Sequence, residues 1–339
     1  MTIDSQGHEQ STKVFYAEAI ARALREEMER DERVFVLGQD VAEYGGAYRE
    51  TAGLWQRFGS ARVRNTPVAE AASVGIAVGA AAAGLRPVVF ITYMDFLTLA
   101  LDPLVNYAAK IGFKTEGQLD APLVLVTTAG AKGQGVAHSQ CLEAWLMSVP
   151  GLQIVAPATP ADAYGLLKAA IRADKPVVYI DHKRLFSFAG WIPRAEAVEP
   201  IGQAVIRRTG HEVTIVAHSF MTRVVAAAAD QLAGEGISCE IIDLRSLAPL
   251  DMATIAASVR KTGALLTVEE GQVVCGVGAE VAFRIRARCT NTRVARLGAR
   301  RLPVSSSPAL QAHCIPDAAR VAEAVRQLLR DPPNLTQTT

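Results

Sequence analysis

Short, unbroken apolar runs rich in Val and Ile alternate along this chain with stretches of helical periodicity, and that alternation limits the fold more than any other feature. The runs lie at 34–37, 88–91, 122–126, 152–155 and 177–180. A strand with one wet face alternates apolar and polar residues, whereas a continuous apolar run is buried on both faces, as in a parallel sheet covered by helices. Helical patterns fill the gaps at 70–83, 96–111 and 161–173. An amphipathic one precedes them, with Val14, Ala17, Ala21, Leu24 and Met28 at three- and four-residue steps. Parallel strands need crossovers of this kind, so the order implies an α/β layered domain. A second block repeats the pattern, with strands expected at 213–217, 239–244, 264–268 and 294–297 and helices at 223–233, 252–259, 279–287 and 316–329. Between the blocks, Gly190, Pro193 and Pro200 break the rhythm. The expectation is an α/β chain of two domains, 1–185 and a smaller 203–339, joined by a linker at 186–202.

The formal net charge is +1, so electrostatics gives no reason to expect nucleic acid or an anionic membrane as partner. The longest apolar stretch, 71–85, is rich in Ala and Gly and shorter than the ~20 residues of a membrane span. The five cysteines, Cys141, Cys239, Cys275, Cys289 and Cys314, are dispersed and odd in number. They suit a reducing compartment better than a disulfide framework or a zinc site. Met1 to Lys13 is polar, with no apolar core to follow, so the cytoplasm is expected.

Individual motifs are modest by themselves. Thr66-Pro67-Val68-Ala69-Glu70 puts a carboxylate at the start of an otherwise apolar helix. That is either a first-turn acid favoured by the helix dipole or a carboxyl held among apolar groups for proton transfer. Gly130 to Gly135 resembles a phosphate loop, but no Gly-Lys-Ser/Thr follows it. The loop runs into Ala137-His138-Ser139-Gln140 just beyond a strand, where ligands bind in α/β sheets; a local hydrogen-bonding role for His138 is equally open. His8, His182, His211, His218 and His313 lack metal-ligand spacing. Arg223, Glu269 and Glu270 read as surface charges, and Gly271, Gly276 and Gly278 as serving a turn and a close helix approach.

Together these stretches carry a family resemblance. The run Val34-Phe-Val-Leu-Gly-Gln-Asp-Val-Ala-Glu-Tyr-Gly-Gly-Ala-Tyr48 resembles the opening of the beta subunits of thiamin-diphosphate-dependent 2-oxo acid dehydrogenases, a transketolase-like family. So do Asn65-Thr-Pro-Val-Ala-Glu70, Gly84-Leu-Arg-Pro87, His138-Ser-Gln140, Pro150-Gly-Leu152, Ile171-Arg172 and Ile241-Ile-Asp-Leu-Arg245, in the family's order. Val268-Glu-Glu-Gly271 with Gly276-Val-Gly-Ala-Glu280 is most similar to the pyruvate type. The resemblance spans about 15–329.

It implies a pyrimidine-binding domain first and a transketolase-type C-terminal domain second. It implies a heterotetramer of two alpha and two beta chains, with thiamin diphosphate between chains, and a lipoyl-bearing acyltransferase as acceptor. The alpha chain would hold the diphosphate and its magnesium through a Gly-Asp-Gly motif that this sequence lacks. By the same resemblance Glu70 faces the aminopyrimidine ring, Phe96 packs against it, and His138 faces substrate and acyl groups. Leu123, Ala170 and Ala173 would offer backbone carbonyls to a monovalent cation, potassium. The sequence departs from the family pattern at Asn65, commonly Asp; at Phe90, frequently Glu; at Ala137, usually Gln; and in Pro303-Val-Ser-Ser-Ser-Pro308. Those departures keep open an acetoin-cleaving or acyloin-forming enzyme of the same fold, and a non-catalytic scaffold subunit.

Overall fold

The first strand–helix block folds on a sheet whose strand order runs Gln153–Val155, Val177–His182, Val124–Ala129, Arg86–Ile91, Val34–Gly38 and Val63–Asn65 in a computed structural model describing residues 11–330 and 335–337. Val34–Gly38 runs parallel to both of its neighbours, with Val36 opposite Val63 on one side and Val88 on the other. The continuous apolar runs are buried as expected: Val34, Val36, Val88, Val89, Leu125 and Val177 are almost wholly inaccessible. Most of the polar stretch Met1 to Lys13, residues 1–10, lies outside the described residues, as does His8.

The first helix, Tyr16–Arg30, packs on the Pro160–Arg172 helix. The buried Glu27 carboxylate accepts from Arg172 at 2.6 Å, and Lys168 Nζ lies 2.7 Å from Glu26. Thr159 caps the second of these helices by accepting from the Asp162 backbone N–H, the side-chain cap that Ser, Thr and Asp supply at helix starts.

The single helix expected at 96–111 is broken instead into Met94–Leu97, a 3₁₀ turn Thr98–Ala100, a π turn Asp102–Ala108 and Ile111–Lys114. Pro103 is the cause in the sequence: it has no N–H to donate and its ring crowds the carbonyl four residues back, so the regular ladder cannot run through it.

The second block builds a sheet in the order Leu335–Gln337, Arg293–Ala299, Ala264–Gln272, Val213–Ala217, Cys239–Asp243, Val205–Arg208; the last pair is antiparallel. Its core holds Ile215, Val225, Leu232, Leu266, Val321 and Val325.

The chain divides into two compact units, Met1–Thr128 with Val149–Ile201, and Ala129–Ser148 with Gly202–Thr339. This differs from the division read in sequence order at two places. Residues 129–148 pack with the second unit, where Ala131 lies in the same buried cluster as Ile215 and Leu266. Within 186–202, Ala189–Pro193 forms a strand antiparallel to Ser11–Phe15, so that stretch is an edge of the first unit. Continuity along the chain is visible in a sequence; which unit covers a loop is not.

Candidate active site

In the first unit, Glu70 opens the Glu70–Ala82 helix and is 5% exposed. The helix starts where the strand Val34–Gly38 ends, because the Thr66 N–H donates to the Gly38 carbonyl at 2.9 Å. Gly38 is required there: a Cβ on it would lie 2.7 Å from the Phe90 carbonyl oxygen. The next residue, Gln39, donates from Nε2 to Glu70 Oε1 at 3.3 Å. It is the only hydrogen-bond partner of the Glu70 carboxylate among the described residues, and nothing in the sequence pattern singled it out. Beyond Glu70 the helix carries no charge. It buries Val74, Ala77, Val78 and Ala81, and turns Ala71, Ala72, Gly75, Ile76 and Gly79 outward.

Phe96 lies in the same unit on the short Met94–Leu97 helix, half-buried, its ring 6.1 Å from that of Tyr93 and edge-on to it. Lys183 Nζ sits over the Tyr93 ring, 4.8 Å from its centre, a cation–π contact that helps hold Tyr93.

His138 belongs to the second unit, half-buried in the loop before the Glu143–Met147 helix, with its backbone N–H donating to the Gly135 carbonyl at 3.2 Å. Ser139 beside it is 2% exposed and its hydroxyl has no hydrogen-bond partner among the described residues. This loop lines a cleft of about 480 Å³ together with Trp145, Glu270, Arg301 and Leu302.

The surface reading of Glu269 and Glu270 is corrected by burial, 3% and 8% exposed on the inner strand Ala264–Gln272. Glu269 accepts from the Val277 and Gly278 N–H groups at 2.8 and 3.0 Å, at the start of the Val277–Arg288 helix. Burial pushes its carboxyl up to about 8; those two N–H groups and Arg296 work against the rise, and Glu143 adds to it. Burial, with a smaller push from Glu270, likewise brings Glu143 up to about 7. Glu270 Oε1 accepts from the Ala131 N–H at 2.7 Å and so ties down the start of the His138 loop. The close approach read at Gly276 and Gly278 is real: a Cβ on either would come within 2.3 Å of Glu269 or Thr267 side-chain oxygen.

The three carbonyls expected to face a cation all accept other donors. Leu123 O takes the Val177 N–H at 2.9 Å and Ala170 O the Ala173 N–H at 3.3 Å. Ala173 O takes Arg86 Nη1 at 2.9 Å, which also reaches Ile171 O at 3.0 Å. Among the described residues no group of three or more His, Cys, Asp or Glu is placed to hold a metal.

Two of the departures have a local reason. Asn65 accepts from the Ala42 N–H and donates to Glu43, both at 2.9 Å; an ionised Asp could not make the second bond. Phe90 is buried, pressed against Gly38.

Two family models match the chain: "Transketolase, pyrimidine binding domain" over residues 12–187 and "Transketolase, C-terminal domain" over 202–321. The pyruvate dehydrogenase E1 component subunit beta of Rhizobium meliloti is 42% identical over 91% of this chain and 68% of its own. Subunit beta-1 of the mitochondrial enzyme of Arabidopsis thaliana is 48% identical over 78% and 74%. The 2-oxoisovalerate dehydrogenase subunit beta of Bacillus subtilis is 38% identical over 92% and 98%. Among solved structures, a split gene transketolase described as an inactive beta4 tetramer superposes with a TM-score of 0.77 at 25% identity, covering 93% of this chain and 98% of that one.

Proposed function

Because the chain belongs to the transketolase-like family of E1 beta subunits of 2-oxo acid dehydrogenases, we propose that it supplies the pyrimidine side of a thiamin diphosphate site for oxidative decarboxylation of a 2-oxo acid, pyruvate first. The observation that carries this reading is the buried Glu70 carboxyl at the mouth of the parallel sheet, on a helix otherwise free of charge. Strand ends of this kind are where α/β sheets bind ligands.

Thiamin diphosphate supplies a nucleophilic carbon and an electron sink for the departing carbon dioxide. Glu70 holds a proton against a ring nitrogen of its pyrimidine. Phe96 and the Ala/Gly-rich helix keep water from that contact, and lower dielectric strengthens the pairing. His138, on its own loop, donates to developing oxyanions and assists acyl transfer. Leu123, Ala170 and Ala173 each keep one carbonyl lone pair that a monovalent cation could take. Arg86 already brings a positive charge to that turn, so potassium is assigned no step.

The proposal includes an alpha-type partner holding the diphosphate and magnesium in a two-alpha, two-beta assembly, a lipoyl-bearing acyltransferase as acceptor, and a cytoplasmic location. The last rests on the dispersed, odd-numbered cysteines of the sequence; no described helix is long and apolar enough to cross a membrane. In the assembled complex, Glu70→Gln should lower decarboxylation by on the order of a hundredfold, the scale on which a positioned proton-transfer group contributes. Turnover near the wild-type rate would remove the proposal. Product analysis with pyruvate and with branched 2-oxo acids, with and without lipoamide, separates dehydrogenase from acyloin chemistry.

A further inference from the structure

Gln39 is held where a side chain can act on Glu70 and on little else. It follows Gly38, whose approach to Phe90 fixes the strand end, and its amide reaches Glu70 Oε1 at 3.3 Å. With one carboxylate oxygen engaged, the other is left to face a partner. The other acids at this strand end are occupied elsewhere or exposed. Glu43 accepts from Asn65 at 2.9 Å, Asp40 lies in solvent, and no described hydrogen bond joins either to Glu70.

A primary amide carries both donors and an acceptor. It can donate to the ionised carboxylate and, with only its terminal amide turned over, accept from the protonated acid, so it stays beside Glu70 in both states and adds no charge. A carboxylate at the same place could do neither without sharing a proton with Glu70.

We propose that Gln39 is the positioning residue of the site: it selects which oxygen of Glu70 meets the pyrimidine nitrogen and keeps the carboxyl there in both protonation states. The inference rests on the cofactor reading above, and Glu70→Gln is the control that separates the two.

The test uses the complex with its alpha-type chain. It measures thiamin diphosphate affinity by titration, kcat and KM at saturating cofactor, and the pH profile of kcat. Gln39→Ala should weaken the cofactor about tenfold and lower kcat with KM for the 2-oxo acid unchanged, about the worth of one hydrogen bond to a charged group. Gln39→Glu, nearly the same size, should move the pH profile upward by about one unit through like-charge repulsion. Should Gln39→Ala fail to assemble, the pH shift in Gln39→Glu decides the matter. An unshifted profile in Gln39→Glu, with Glu70→Gln still impaired, overturns the role of Gln39 and leaves the cofactor reading standing. Normal cofactor binding and turnover in Glu70→Gln overturns both.

Discussion

A buried carboxyl behaves differently from one on a surface, and Glu143 on its short helix and Glu269 within an inner strand show the consequence. Both bind their proton more tightly in the folded chain than an exposed glutamate would, up to about 7 and about 8. Between the ordinary glutamate range and those values the folded state therefore holds more protons than the unfolded one, so stability falls as pH rises through that window. Glu143→Gln keeps the neutral shape without the ionisable group. It should melt with the wild type at pH 5 and a few degrees higher at pH 8, roughly what one or two kcal/mol gives in a domain of this size. Equal melting curves for the two proteins at pH 8 would show that folding does not raise the proton affinity of Glu143. A family pattern marks Glu70, Phe96 and His138 in the sequence, whereas neither the burial of Glu269 nor the partner of Gln39 follows from local spacing.

On the scale of one element, the Glu70–Ala82 helix combines features that an isolated chain has no use for. Gly75 and Gly79 are exposed and a Cβ on either would meet nothing within 4 Å. Glycine in a helix interior costs roughly 0.5–1 kcal/mol relative to alanine, so Gly75→Ala should stabilise the isolated chain by about that amount. A helix face of small residues permits close approach of a second backbone. Gly79→Leu should accordingly leave the melting of the chain alone unchanged or higher while weakening assembly with the alpha-type partner, read by sedimentation. Undiminished assembly would show that this face is not used. The helix itself was plain in the sequence, 70–83 expected and Glu70–Ala82 found. The 96–111 helix was not, because apolar spacing continues across Pro103 while the backbone ladder does not.

For the whole molecule, the proposed function divides the cofactor's contacts between chains. Alone, the protein should bind thiamin diphosphate weakly and release no carbon dioxide from pyruvate; addition of the alpha-type chain should restore both. Decarboxylation by the purified chain alone would end the half-site proposal. The amino-acid sequence by itself determined the two α/β blocks, the inner strands and the positions where a family pattern repeats, since apolar period and chain order are local properties. Only the tertiary structure decided that residues 129–148 fold with the second unit, that Glu269 and Glu270 lie inside it, and that Gln39 meets Glu70 across 31 positions. Burial and pairing of a polar group depend on what distant segments bring to it, and spacing along the chain carries no record of that.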